Sequence, residues 1–160
     1  MDLMDRAKGF MNSKLKSSSV KLAERYGVPV NEVEDTVSEF LANTYGPALN
    51  MAESISGKDR PVLLFIWRKG CGICQKSKPE LEKFIQAHSD LDLVVVDYSD
   101  PEGVLYHIIN QEENGMLPMI AMIFRGNIKM IFTGVCVHPE VYEKYYKDLK
   151  VECSQNIYAL

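Results

Sequence analysis

Phe65-Ile66-Trp67-Arg68-Lys69-Gly70-Cys71-Gly72-Ile73-Cys74-Gln75-Lys76-Ser77-Lys78-Pro79 is the stretch that decides how this chain is read. An apolar run ends at Trp67, two cysteines follow with two residues between them, and a helical pattern begins. Strand, Cys-x-x-Cys, helix is an order that presents a reactive thiol. At the N-cap or first helical position, Cys71 would meet backbone N–H groups without intrahelical partners and the positive end of the helix dipole. A thiolate is favoured there, so the pKa of Cys71 is expected to fall. Cys74 lies one turn along the same face, within reach of a small disulfide ring. Arg68, Lys69, Lys76 and Lys78 add positive charge. Pro79 is expected to bend or interrupt the helix.

Downstream, the chain alternates strand and helix patterns. Residues 61–67 are continuously apolar, as a central buried strand should be. Residues 91–96 read as a second buried strand. A helix carrying Leu81, Phe84, Ile85 and His88 at core spacing joins the two, so they should run parallel through a right-handed crossover. Asp100-Pro101 opens another helix, with Val104, Leu105, Ile108 and Ile109 facing in and residues 112–115 closing it. Residues 119–124 and 128–133 form a hairpin around Arg125-Gly126-Asn127. His138, a candidate cap, and Pro139 open a last helix with Val141, Tyr145 and Leu149 on one face; residues 151–160 read as a tail. His88 and His107 fall in helical patterns as ordinary side chains.

Upstream, residues 1–19 read as a loop or a frayed helix end, with Ser18 or Ser19 as N-cap. A short helix with Val20, Ala23 and Tyr26 should stop at Gly27. Asn31 with Glu34 is a capping pattern. Val33, Val37, Phe40, Leu41 and Thr44 then share a helical face. Gly46 is expected to end that helix and Pro47 to begin the next, over 47–55. Two short helices raise the question of a DNA-binding helix-turn-helix. Residues 26–57 hold five carboxylates and no Lys or Arg. A phosphate backbone would repel such a second helix, so nucleic acid is excluded as a partner. The remaining reading is a small helical extension that packs on the main domain or on a second copy, which makes a homodimer through these helices a candidate arrangement.

Trp67, Cys71-Gly72-Ile73-Cys74 and Pro79 resemble the active-site stretch of the thioredoxin family. Leu117-Pro118-Met119 resembles that family's cis-proline loop, and Gly134 stands at the matching strand end. The resemblance covers residues 47–150. It implies an α/β, thioredoxin-like three-layer fold with a central mixed four-stranded sheet, because no first strand precedes residues 47–55. The organisation is then a helical N-terminal extension (1–46), a thioredoxin-like domain (47–150) and a C-terminal tail (151–160). The resemblance also implies a thiol–disulfide oxidoreductase with Cys71 and Cys74 catalytic. Trp67, Gly72, Ile73, Leu117 and Pro118 would touch substrate. Pro118 would crowd the sulfurs against metal, so no metal and no cofactor are expected. The partners implied are a disulfide-bearing protein and a reductase or thiol electron donor. The sequence departs from the family at four places. Ile73 stands where proline is usual and Gly70 where a second tryptophan precedes the first cysteine. Phe65 stands where a buried aspartate assists the second cysteine, and Met119 replaces threonine.

A hydrophobic content of 46% and a charged content of 25% suit a globular protein, and a net charge of −4 argues against a general nucleic-acid surface. Four cysteines are too few for a disulfide scaffold. No run is long and apolar enough to span a membrane, and residues 1–16 lack the apolar core of a secretory signal, so a cytoplasmic location is expected. Cys136, two places after Gly134, is a candidate third thiol for regulation, a mixed-disulfide partner, a metal ligand with His138, or simply a small hydrophobe. Cys153 has no assigned role. Two other functions stay open: a thioredoxin-like adaptor with little turnover, and a metal or cluster carrier using Cys71 and Cys74.

Overall fold

β1 (Val62–Trp67) alternates its side chains between two faces, and both faces are covered. Val62, Leu64 and Ile66 enter one core and Leu63 and Phe65 the other, each at most 1% exposed. That explains the unbroken apolar run: a strand buried on both sides has no position where a polar residue is tolerated. The computed structural model describes residues 1–111 and 115–158, apart from the side chains of Cys153 and residues 155–158. The expected helix end at 112–114 lies outside the described residues.

β2 (Asp92–Asp97) pairs parallel to β1, with Val62 opposite Asp92. β3 (Met119–Phe124) pairs antiparallel on the other side, with Val62 opposite Ile123, and β4 (Asn127–Thr133) pairs antiparallel to β3. The sheet is therefore mixed and four-stranded, in the order β2-β1-β3-β4. The β3–β4 turn has positive φ at both Arg125 (49°) and Gly126 (79°), the twist that suits a two-residue hairpin loop. β2 is an edge strand, not the fully buried one expected: Val96 is buried but Val95 is 45% exposed. A short apolar run does not reveal whether both of its neighbours exist.

Helices close both faces. α3 (Gly72–Ala87) and α5 (Pro139–Tyr158) pack on the Leu63 and Phe65 side through Leu81, Phe84, Tyr142 and Leu149. His88 Nε2 lies 2.6 Å from Glu143 Oε1, and the Tyr146 hydroxyl donates to both carboxylate oxygens of Asp90, so α5 is tied to the end of α3 and the turn after it. α3 runs through Pro79 to Ala87. α5 runs on to Tyr158, past the expected boundary at 150, so residues 151–158 are helical where a tail was read. Lys129 of β4 meets Glu152 at 2.8 Å and holds part of that last stretch.

The other face is covered by α1 (Leu3–Tyr26), α2 (Glu34–Ser56) and the short α4 (Leu105–Ile109), which follows a 3-10 turn at Pro101–Val104. Three sequence expectations fail here. The Asn31–Glu34 capping pattern is not realised, because α2 begins at Glu34 with Val33 as N-cap and no side-chain cap bond. Residues 1–19 are not a loop: α1 is continuous, with Asp2 Oδ1 accepting the Asp5 N–H at 2.9 Å and Gly27 closing the helix at φ 62°. The run Ser17-Ser18-Ser19 is carried through because serine costs only a few tenths of a kcal/mol in a helix, roughly, and packing outweighs that. The Phe10 ring meets the Tyr45 ring edge-on at 5.2 Å, and Arg6 donates to the Ile109 carbonyl. Nor does Gly46 end a helix. α2 continues through Gly46 and Pro47, because Val37, Leu41, Ala48, Ala52 and Ile55 keep one buried stripe across them. The missing proline N–H costs one helical hydrogen bond, and the stripe on both sides offsets it.

The chain start is also tied down. Leu3 N–H donates to Gly126 O at 2.8 Å, and Ile128 N–H donates to Met1 O at 2.7 Å. Leu3 is fully buried in the same core as Leu64 and Ile66. Leu3→Ala should therefore lower global stability by about 2–5 kcal/mol in urea unfolding, with a single transition. A separate early transition, with the remaining domain unaffected, would show the helices to be an independent appendage.

Candidate active site

Cys71 is the N-cap of α3, with φ −86° and ψ 108°, and its Sγ accepts the Cys74 N–H at 3.2 Å. A sulfur thus fills the role usually taken by a Ser or Asp oxygen at a helix start. Cys71 and Cys74 are joined in a disulfide, with Cα atoms 5.2 Å apart. The two sulfurs differ in access: Cys71 is partly exposed, whereas Cys74 is 2% exposed and packs among Phe65, Leu81 and Phe84.

Three segments converge on this pair. The first is the turn after β1. Cys71 N–H donates to Arg68 O at 3.2 Å, and Gly70 between them has φ 84°. Only glycine adopts that backbone without strain, which gives Gly70 a local reason that the family comparison had not supplied. Trp67, partly buried, lies beneath Lys78, whose Nζ is 5.8 Å from the ring centroid. The second segment is Met116-Leu117-Pro118. The Leu117–Pro118 peptide is cis, and the Leu117 carbonyl oxygen lies 3.8 Å from Cys71 Sγ. In the disulfide this is a contact only; a thiol at Cys71 could donate across it. The third is the end of β4, where Gly134 N–H donates to Pro118 O at 2.9 Å.

Beside the pair opens a groove of about 500 Å³ lined by Arg68, Cys71, Gly72, Ile73 and Leu117, among others. Of the residues expected to touch substrate, Gly72, Ile73 and Leu117 line it. Trp67 and Pro118 do not. The far wall was not foreseen. It consists of Tyr98, Tyr106, His107 and Met116. His107, read from sequence as an ordinary helical residue, stands at 2.8 Å from the Tyr98 hydroxyl through Nε2, and Tyr106 donates to Met116 O at 3.1 Å. The available signal was the aromatic pair at the start of a short helix, Tyr106-His107, but nothing in its spacing points to the cysteines. Burial first, and the charge of Lys14 on α1 second, hold the His107 pKa below the usual imidazole value.

Cys136 is exposed, takes no part in the disulfide and does not line the groove. His138 caps α5 in a loose sense, its Nδ1 accepting the Glu140 N–H at 3.5 Å. The Cys153 side chain lies outside the described residues. Among the described residues, no group of three or more His, Cys, Asp or Glu side chains is arranged to hold a metal ion, and no helix is long and apolar enough to cross a membrane.

No family model matches the chain. A curated thioredoxin from Alicyclobacillus acidocaldarius subsp. acidocaldarius is 44% identical over 41 residues, which make up 26% of this chain and 38% of that relative. The match therefore spans well under half of the relative's length. Three solved structures are similar, each at a TM-score of 0.50. Mitochondrial thioredoxin 3 from Saccharomyces cerevisiae, in its oxidized form, is 21% identical over 62% of this chain and 87% of its own. Thioredoxin-2, a component of the malaria parasite protein secretion machinery, is 17% identical over 57% and 84%. Desulfothioredoxin from Desulfovibrio vulgaris Hildenborough, in its reduced form, is 18% identical over 61% and 88%. At these identities the likeness is one of fold.

Two predictions follow from the site geometry. A Cβ at Gly134 would stand 2.7 Å from Met116 Cβ, at φ 70°. Gly134→Ala should cost about 1–2 kcal/mol from the left-handed backbone alone, read by urea unfolding, and should displace amide resonances of residues 116–118. Lys14→Gln should raise the NMR titration midpoint of His107 toward the usual value of about 6.5. Since the folded value lies below the unfolded one, neutral His107 favours the fold fully above that pH. The contribution fades as pH falls through the folded midpoint.

Proposed function

Taking the chain as thioredoxin-like in fold, we propose that it is a thiol–disulfide oxidoreductase that exchanges its Cys71/Cys74 dithiol–disulfide with protein substrates. The observation that carries this reading is the asymmetry of the pair: a partly exposed sulfur at a helix N-cap, bonded to a buried one, beside an open groove. In the dithiol form the Cys74 N–H and the positive end of α3 favour a thiolate at Cys71. That thiolate attacks one sulfur of a substrate disulfide. The substrate S–S bond breaks, a mixed disulfide forms at Cys71, and the second substrate sulfur leaves as a thiolate. Cys74, once deprotonated, attacks the Cys71 sulfur. The mixed disulfide breaks, the remaining substrate thiolate departs and the Cys71–Cys74 bond closes. Two electrons have passed to the substrate, and an external dithiol or thiol donor restores the reduced form.

The Leu117 backbone gives an extended substrate segment an edge to lie against, close to the reacting sulfur. Cys74 belongs to an apolar cluster with Phe65, 1% exposed, which stands where the family's proton-accepting aspartate would be. This favours slow resolution of the mixed disulfide and gives weight to a second reading, an adaptor that holds partners longer than it turns them over.

Alkylation with mass analysis across a glutathione redox series should show Cys71 and Cys74 gaining and losing reactivity together at one potential. Cys71→Ser should bring exchange to background, a loss of roughly 10³-fold or more. Cys74→Ser should accumulate the mixed disulfide. Undiminished exchange by Cys71→Ser would overturn the assignment of roles.

A further inference from the structure

The segment that carries the thiol is one-sided in charge. Between Trp67 and Pro79 the chain carries Arg68, Lys69, Lys76 and Lys78 and no carboxylate, although the whole protein has a net charge of −4. Lys78 lies over Trp67. Arg68, Lys69 and Lys76 are exposed, and none of them makes a salt bridge among the described residues. Among the described residues Arg68 is the one cation of the four that lines the groove. Its place is also fixed: its carbonyl accepts the Cys71 N–H, and Gly70 closes the turn between them. The guanidinium therefore starts from a backbone locked three residues from the attacking sulfur. None of the described residues that line the groove is acidic. The opposite wall presents His107 bonded to Tyr98, with Lys14 of α1 close enough to act on His107.

We propose that the groove beside Cys71 selects disulfides that carry a carboxylate near the reacting sulfur, with Arg68 as the residue that meets it. The inference deepens the oxidoreductase reading and rests on it. Arg is suited to the role because its planar fork can hold both oxygens of a carboxylate and it stays charged at every working pH. The step itself is unchanged: the Cys71 thiolate takes one substrate sulfur, the other leaves with the electron pair, and Cys74 completes the exchange. Arg68 contributes to encounter and orientation, not to bond making. The carboxylate can belong to an acidic protein segment or to a small dicarboxylate disulfide; the chemistry at Arg68 is the same.

The test is a single-turnover reaction of the pre-reduced full chain, followed by mass analysis of the released thiols. The substrates are two-cysteine peptide disulfides flanked by Asp/Glu or by Lys, and three small disulfides: dithiodipropionate, hydroxyethyl disulfide and cystamine. The acidic peptide is expected to react about tenfold or more faster than the Lys-flanked one at low salt, and the gap should narrow as the Debye length shortens. Arg68→Gln should shrink the preference and Arg68→Glu should reverse it. Lys76→Glu, outside the groove, should change it less. A peptide much faster than dithiodipropionate identifies a protein segment as the source, and equal rates identify a small dicarboxylate. Exchange with hydroxyethyl disulfide but equal rates for the acidic and Lys-flanked peptides would overturn the selectivity and leave the oxidoreductase standing. Equal effects of Arg68→Glu and Lys76→Glu would overturn the role of Arg68. No exchange with any disulfide would overturn both readings.

Discussion

A helix must begin somewhere, and its first amides have no carbonyl within the helix to bond to. In α3 one of them, the Cys74 N–H, is satisfied by the sulfur of Cys71 at 3.2 Å. That single bond places Cys71 at the cap and Cys74 in the first turn of the helix. The cap residue must lie outside the helix, where solvent reaches it. The residue three places on lies inside the first turn, on the face that α3 turns toward Phe65 and Leu81. Exposure of one cysteine and burial of the other are thus consequences of capping geometry.

The sheet supplies the rigid frame for that cap. β1 is buried on both faces and paired on both edges as far as Ile66, and Trp67 stays paired with Asp97 of β2, so the strand's C-terminal end is held in place. The turn at Arg68–Cys71 is launched from this end, and Tyr98 is anchored beside it, its N–H donating to Trp67 O at 2.7 Å. The antiparallel hairpin brings the Leu117–Pro118 segment and Gly134 to the same end of the sheet. Parallel and antiparallel neighbours therefore deliver their loops to one edge of the molecule, and the chemistry collects there.

Much of this could be read from residues alone. The four strands, the hairpin turn, the start of α3 at the cysteines and the absence of a strand before α2 all follow from apolar runs and turn residues. Their signals are local. The misreadings came from places where a local signal was overruled at a distance. Gly46-Pro47 and Ser17-Ser18-Ser19 look like punctuation, but the buried stripes on either side belong to one core and hold each helix together. β2 looks buried because its composition does not say that it lies at an edge. His107 looked ordinary because its meeting with Tyr98, beside Cys71, depends on how the loop after β2 folds back over the sheet end. Gly70 carried a backbone signal, a positive φ, that its absent side chain cannot announce.

The unbroken course of α2 has a mechanical consequence. A 23-residue helix is about 35 Å long, and this one starts at the turn from α1 and ends inside the sheet's core at Ile55. The outer helices are held to the sheet at two places, through the continuous α2 and through the start of α1, where Leu3 N–H donates to Gly126 O. Anything gripping the outer end would meet the reactive sulfur at a set reach and bearing, as with a tool mounted on a rigid arm, and lengthening α2 by one residue would rotate that grip by about 100°.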